Sequence, residues 1–362
     1  MHHTPLITTI VAGLGLAFVF ATIAQRMRLS PLIGYLVAGV AIGPFTPGYV
    51  ADLNLAPQLA ELGVILLMFG VGLHFSLADL LAVRAIAVPG AIGQIAIATL
   101  LGMALAWALG WSTGAGIVFG LALSVASTVV LLRALQERRI IETEKGRIAV
   151  GWLIVEDLAM VLALVLLPAV SGLLGGKTDP GASHGGLAGW IGSDSVWVLL
   201  ALTLAKVAAF VVLMLVVGRR VIPWILHYVA HTGSRELFRL AVLAIALGVA
   251  LGSSELFGVS FALGAFFAGM VLAESELSHR AAQETLPLRD AFAVLFFVSV
   301  GMLFDPMILV RDPLPVLATV LIIVVGKSIA AYGIVRAFGH PNATALTISA
   351  SLAQIGEFSF IL

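Results

Sequence analysis

Two adjacent carboxylates stand where a chain can least tolerate charge. In Gly151-Trp152-Leu153-Ile154-Val155-Glu156-Asp157-Leu158-Ala159-Met160-Val161, Glu156 and Asp157 interrupt an otherwise apolar run. Each costs roughly 2.5 to 3.5 kcal/mol to place inside a membrane helix, so a pair there without a task would be an expensive accident. Neighbouring positions point about 100° apart on a helix, so the two need not do the same work. Lys327, in Gly326-Lys327-Ser328, is the natural counter-charge. A buried ammonium is tolerated when paired, and pairing with one carboxylate leaves the other to bind a cation or a proton. Where a proton and a hydrated monovalent cation compete for one carboxylate, the competition is itself an exchange mechanism. Lys206 is a weaker candidate that could snorkel or pair elsewhere.

Two polar segments also break the apolar pattern: Ser124-Val125-Ala126-Ser127-Thr128 and Ser349-Ala350-Ser351-Leu352-Ala353-Gln354-Ile355-Gly356-Glu357. Hydroxyls and amides at mid-span can satisfy backbone left open by a broken helix, and the freed carbonyls can ligate a cation. Ser127 and Thr128 are therefore candidate ion ligands, with Ser124, Ser351, Gln354 and Glu357 as polar groups of the breaks. Serine and threonine alone more often bond back onto their own helix. Their matched placement in the two halves favours broken helices, and Glu357 would then face a helix dipole or take a secondary proton.

Other residues carry less. His2, His3, His184, His227, His231, His279 and His340 read as terminal or loop histidines, and His74 as interfacial. Gly175-Gly176-Lys177 lacks the Gly-x-x-x-x-Gly-Lys-Ser/Thr spacing of a phosphate loop. The chain has no cysteine, which removes disulfides, thiolate metal sites and cysteine nucleophiles. No cofactor is implied, and zero net charge gives no reason to expect a nucleic-acid partner.

The elements that must position these residues follow from composition. Of 362 residues 61% are hydrophobic and 10% charged, with a mean hydropathy of +1.13, so the solvent around most of the chain is lipid. A spanning helix needs about 20 apolar residues, and about twelve such runs follow one another: 6–25, 31–49, 57–75, 85–109, 114–134, 148–172, 195–217, 236–254, 258–274, 287–304, 313–337 and 342–362. The runs are continuously apolar, without the alternation of a membrane barrel. The first follows Met1-His2-His3-Thr4-Pro5, with neither a basic leader nor an Ala-x-Ala site, and reads as a retained helix. With these spans 15 of the 19 lysines and arginines fall on one side, leaving Lys177 and Arg311 on the other and Lys206 and Lys327 within spans. That asymmetry predicts an outside N-terminus.

The chain also repeats itself. Ser30-Pro31-Leu32-Ile33-Gly34-Tyr35-Leu36-Val37-Ala38-Gly39 matches Ser260-Phe261-Ala262-Leu263-Gly264-Ala265-Phe266-Phe267-Ala268-Gly269 in its serine, alanine and both glycines. Val71-Gly72-Leu73-His74-Phe75 answers Val300-Gly301-Met302-Leu303-Phe304, and Ser124-Val125-Ala126 answers Ser351-Leu352-Ala353. Small residues at packing spacing are common in membrane helices, but three matches at nearly one offset predict an inverted repeat. Under that mapping the sixth span has its partner beyond residue 362, so the natural protein is expected to continue.

Taken together, these residues resemble the monovalent cation:proton antiporter 2 family, Kef-type potassium/proton antiporter branch. The resemblance covers essentially the whole chain. It rests on Leu29-Ser30-Pro31-Leu32-Ile33-Gly34-Tyr35-Leu36-Val37-Ala38-Gly39, Gly72-Leu73-x-Phe75, Ser127-Thr128, Glu156-Asp157, Phe296-Phe297-Val298-Ser299-Val300-Gly301-Met302, Lys327 and Gln354-x-Gly356-Glu357-Phe358. It implies an all-α inverted-repeat antiporter fold with two crossing broken helices, about twelve of thirteen transmembrane helices being present. It also implies a homodimer in the bacterial inner membrane, with a dimerisation part at about 6–80 and 235–305, a core transport part at about 84–172 and 313–362, and a linker helix at about 195–217. Family members often carry a cytosolic nucleotide-binding regulatory domain, which here would follow residue 362. Potassium efflux members typically have Gln-Asp where this chain has Glu156-Asp157, and electrogenic sodium/proton exchangers have Asp-Asp. Asp157 is then the expected shared carboxylate for cation and proton, with Glu156 beside it and Lys327 as charge partner.

The expected function is secondary active exchange of a monovalent cation, potassium ahead of sodium, for protons by alternating access. A gated, glutathione-regulated-type potassium efflux system shares the fold without strict coupling. A sodium-coupled organic anion symporter suits Glu156, Asp157 and Lys327 less well. An intramembrane aspartyl protease needs two aspartates on different helices, one within Gly-x-Gly-Asp, whereas the aspartates deep in a span reduce to Asp157, so no enzyme is expected.

Overall fold

The computed structural model describes residues 5–52, 54–73, 77–141, 143–170, 196–275, 277–356 and 358–362, and among these it contains no strand. Apart from the single turn Ile308–Arg311, the helices in chain order are α1 (Pro5–Arg26), α2 (Pro31–Ile42), α3 (Leu55–Leu73), α4 (Leu77–Ala108), α5 (Thr113–Ser124), α6 (Thr128–Glu137), α7 (Glu144–Val170), α8 (Val196–Leu213), α9 (Arg219–His231), α10 (Arg235–Phe257), α11 (Phe261–Ala273), α12 (Ser278–Met302), α13 (Pro313–Leu321), α14 (Lys327–Ala337), α15 (Asn342–Ser351) and α16 (Phe358–Ile361). The π turns Met214–Gly218 and Ile322–Gly326 join α8 to α9 and α13 to α14 without ending the helix.

Six described helices are long and apolar enough to cross a membrane: Pro5–Arg26, Leu55–Leu73, Leu81–Ala108, Leu204–His231, Arg235–Phe257 and Pro313–Ala337. Three shorter apolar helices, Pro31–Ile42, Thr113–Ser124 and Phe261–Ala273, accompany them. The sequence reading ended the seventh span at 217, whereas the helix continues through the π turn to His231. The extension is amphipathic, with Ile222 and Leu226 buried and Arg219, Arg220, Trp224 and Tyr228 exposed, which is why a search for uniformly apolar runs stops short of it.

The chain divides into two compact units, Met1–Phe75 with Ala205–Val310, and Ser76–Leu204 with Arg311–Leu362. In the first unit the repeat seen in the sequence becomes a reciprocal contact. A Cβ on Gly39 of α2 would lie 2.0 Å from the Val298 carbonyl oxygen and 2.8 Å from the Gly301 Cα on α12. One on Gly269 of α11 would lie 2.2 Å from the Phe69 carbonyl oxygen and 3.1 Å from the Gly72 carbonyl carbon on α3. Repeat-equivalent glycines thus meet in pairs, Gly39 with Gly301 and Gly269 with Gly72. Each half's glycine-bearing helix packs backbone to backbone on the other half's next helix, a packing that small residues permit. The equivalent serines match as well: Ser30 Oγ accepts from Leu32 N at 3.4 Å and Ser260 Oγ from Leu263 N at 3.3 Å, capping α2 and α11.

In the second unit α4 packs on α7 through a glycine hole. A Cβ on Gly90 would fall 2.3 Å from Trp152 Cζ3, and the Trp152 side chain that fills this space is fully buried. This contact fixes the register of α4 against the helix that carries the carboxylate pair.

Candidate functional site

Both polar segments interrupt their helices, as their sequence implied. Helix α5 ends at Ser124, Val125 is extended (φ −84°, ψ 143°), and α6 restarts at Thr128. Helix α15 ends at Ser351, and the chain runs non-helically to Gly356 before α16 begins at Phe358. Ser127 and Gln354 hold the two interruptions together. Ser127 N donates to Gln354 Oε1 at 2.9 Å, and Gln354 Nε2 donates back to the Ser127 carbonyl at 3.1 Å. One side-chain amide thus satisfies the Ser127 N–H, which no helix serves, and shares the Ser127 carbonyl with Leu131 N of α6, while Ser127 Oγ caps α6 by accepting from Val130 N at 3.3 Å.

The crossing itself depends on Gly356. A Cβ there would sit 2.9 Å from the Ala126 carbonyl carbon and oxygen and 2.9 Å from Ser127 N, all of them backbone atoms that cannot rotate away. Gly356→Ala is therefore expected to lower the stability of the purified protein by about 1–3 kcal/mol, the usual cost of overpacking. Gly333→Ala, in open helix with nothing within 4 Å, is the matched control and should be neutral or stabilising. Thermal unfolding of the two variants in detergent checks this.

The charged groups meet this crossing through one peptide unit. Lys327 Nζ donates to the Val125 carbonyl at 3.2 Å, and Ala126 N, on the other end of the same peptide, donates to Glu156 Oε2 at 3.0 Å. Lys327 and Glu156 are both fully buried. Among the described residues they make no ion pair within 4.0 Å, although their charges still attract one another. The direct pairing expected from sequence is therefore replaced by a relay through the Val125–Ala126 peptide. Lys327 also donates to the Gln354 carbonyl at 2.7 Å, so its ammonium serves carbonyls from both interruptions. A cation beside carbonyls that follow the ends of α5 and α15, and an anion at an amide preceding α6, each oppose the local helix dipole. The π turn immediately before Lys327 widens the helix at the point where its side chain enters the site.

Asp157 is placed differently. Its side chain is 4% exposed, and its Oδ2 accepts from the Thr128 hydroxyl at 2.7 Å, at the first residue of α6. Asp157, Glu156, Ser127, Thr128, Lys327 and Gln354 thus gather at one crossing. Ser124 and Ser351 do not join it: their hydroxyls bond back to the Leu121 and Thr347 carbonyls at 2.7 Å each. Glu357 and, among the histidines, His2, His3, His74 and His184 lie outside the described residues. The residue that sequence reasoning missed is Gln94 on α4, fully buried, whose Nε2 donates to Glu156 Oε1 at 3.0 Å. Its signal was present, since Gln94 is the only side-chain amide in the run 85–109. The oxygen donors about Asp157, carboxylate and hydroxyl, suit a hard monovalent cation and offer nothing to a soft metal.

A family model described as "Sodium/hydrogen exchanger, transmembrane" matches residues 14–362. The chain belongs to this family. A relative from Escherichia coli (strain K12), named as a candidate cation/proton antiporter, YbaL, is 68% identical over 363 residues, covering 100% of this chain and 63% of that protein. K(+) efflux antiporter 4 of Arabidopsis thaliana is 36% identical over 359 residues, covering 99% of this chain and 57% of its own length. The chain thus spans somewhat under two thirds of these relatives. Among solved structures, the sodium proton antiporter MjNhaP1 of Methanocaldococcus jannaschii at pH 8 superposes with a TM-score of 0.67 at 17% identity, over 96% of this chain and 85% of that one. That likeness establishes the all-helical antiporter fold, and the relatives place the chain with the Kef-type branch of cation/proton exchangers rather than with any enzyme.

Proposed function

We propose that the chain forms the membrane part of a secondary transporter that exchanges a monovalent cation for protons by alternating access, with Asp157 as the carboxylate both compete for. The observation that carries this reading is the division of labour at the crossing. Glu156 and Lys327 are each committed to backbone groups of the interruptions. Asp157 meets a hydroxyl at a fresh helix start, where a cation could exchange for a proton without dismantling the crossing. Potassium is the preferred cation, supported by the likeness to a relative named as a K(+) efflux antiporter. The unit holding the crossing is the transport core and the other the dimerisation part of a homodimer, with the N-terminus outside.

Reconstitution into proteoliposomes with an imposed pH gradient tests the proposal. Potassium addition should dissipate the gradient, and sodium should do so less effectively. Potassium flux that ignores the pH gradient would mark a gated efflux system and overturn the coupled reading.

A further inference from the structure

Among the described residues Gln94 hydrogen-bonds to the site through Glu156, and its placement is built into the packing of α4 on α7. Gly90 and Trp152 interlock, and Gln94 and Glu156 each follow one helical turn later on the same faces, at i+4 from that contact. The glycine hole therefore delivers the amide to the carboxylate. Once there, Gln94 Nε2 takes Glu156 Oε1 while Ala126 N takes Oε2, so the carboxylate is gripped from opposite sides by a helix side chain and by the interruption's backbone. The arrangement is not one that stability alone would favour. Gln94 is fully buried, yet its own Oε1 has no hydrogen-bond partner among the described residues. A buried amide with an unsatisfied oxygen is costly, and an apolar side chain of the same length would avoid that cost.

Resting on the exchange reading above, we propose that Gln94 is a positioning residue of the cation site. Its amide fixes Glu156 against the Val125–Ala126 peptide, and through the two residues that follow it sets the Thr128 hydroxyl that Asp157 meets. The chain of contacts is continuous: Gln94 to Glu156, Glu156 to Ala126, then Ser127 and Thr128 along the backbone, and Thr128 to Asp157. Each step is a hydrogen bond or a covalent bond, and all of it lies within one compact unit. Gln94 itself holds no cation and moves no proton.

Gln94→Met keeps the length and loses the amide. A merely structural glutamine would show its loss as lower thermal stability and less active protein, with the remaining transporter unchanged in KM. A positioning residue shows the reverse. Thermal unfolding of Gln94→Met in detergent should shift little, because removing the unsatisfied Oε1 offsets the lost bond to Glu156. The KM for potassium in proteoliposomes should rise about tenfold, the scale of one lost hydrogen bond to a charged group, with Vmax within about twofold. In a Glu156→Ala background, Gln94→Met should change KM by less than about twofold, since the group it acts through is absent. Gln94→Asn, polar but too short to reach, serves should the methionine variant fail to fold, and should also raise KM. A wild-type KM in the folded variant, or an equal effect with and without Glu156, overturns the proposal. Asp157→Asn run alongside separates the two readings. If that variant is inactive while Gln94→Met behaves as wild type, only the role of Gln94 falls; if it still exchanges, the underlying exchange reading falls.

Discussion

Asp157→Asn should abolish exchange while leaving a folded protein. The substitution preserves shape and an oxygen that can still accept from the Thr128 hydroxyl, which bonds Oδ2 at 2.7 Å. It removes the one property the mechanism needs, a charge that either a proton or a cation can neutralise. The amide cannot be protonated in the accessible range, and it offers a monovalent cation a dipole where the carboxylate offers a full charge. At a site 4% exposed, water supplies little to make up that difference. Proton-coupled uptake in proteoliposomes should fall to the rate of protein-free vesicles, on the order of 100-fold or more below wild type, a loss of roughly 3 kcal/mol or more. Thermal unfolding should shift little, since the bonds that tie the interruptions together run through Ser127, Gln354, Lys327 and Glu156. Sustained coupled exchange in this variant would remove Asp157 from the proposed role.

Legibility in the sequence followed what each residue does physically. The glycine and serine matches predicted an inverted repeat, and the structure sets its equivalent glycines in reciprocal pairs, Gly39 with Gly301 and Gly72 with Gly269. They could be read because close backbone approach tolerates almost no other residue type. The interruptions were legible for a related reason: polar groups at mid-span need unsatisfied backbone to justify them, and Ser127 and Gln354 find it. What composition could not reveal was partner choice. Charge arithmetic paired Lys327 directly with a carboxylate, and the fold interposes a peptide group whose two ends serve both. Ser124 and Ser351 illustrate the same limit, because a hydroxyl at a helix end reads alike whether it reaches across or bonds back to its own turn. Gln94 was passed over because a single amide in a long apolar run gains meaning only once the facing helix, with Trp152 seated at Gly90, is known to bring Glu156 opposite it.

The relay makes Lys327 the residue whose loss should damage the fold most. Lys327→Met preserves the length of the stem, which is fully buried, and deletes the ammonium. Two carbonyls, of Val125 and Gln354, then lose the donor they meet at 3.2 and 2.7 Å, and both belong to interrupted helices with no intrahelical donor to fall back on. Glu156, fully buried, loses the positive charge that offsets its own. Removing one member of a buried charged pair typically costs about 3–5 kcal/mol, because the other remains uncompensated. Most of that cost lies in the stranded anion, so the double variant Lys327→Met with Glu156→Gln should be more stable than Lys327→Met alone, by about 1–3 kcal/mol. The glutamine can still accept from Ala126 N and meet the Gln94 amide, and no net charge is left in the crossing. Thermal unfolding of the wild type, both single variants and the double variant in one detergent closes the cycle. Strict additivity of the two substitutions would show that the peptide between Lys327 and Glu156 separates their charges, and a recovery in the double variant would show that it couples them.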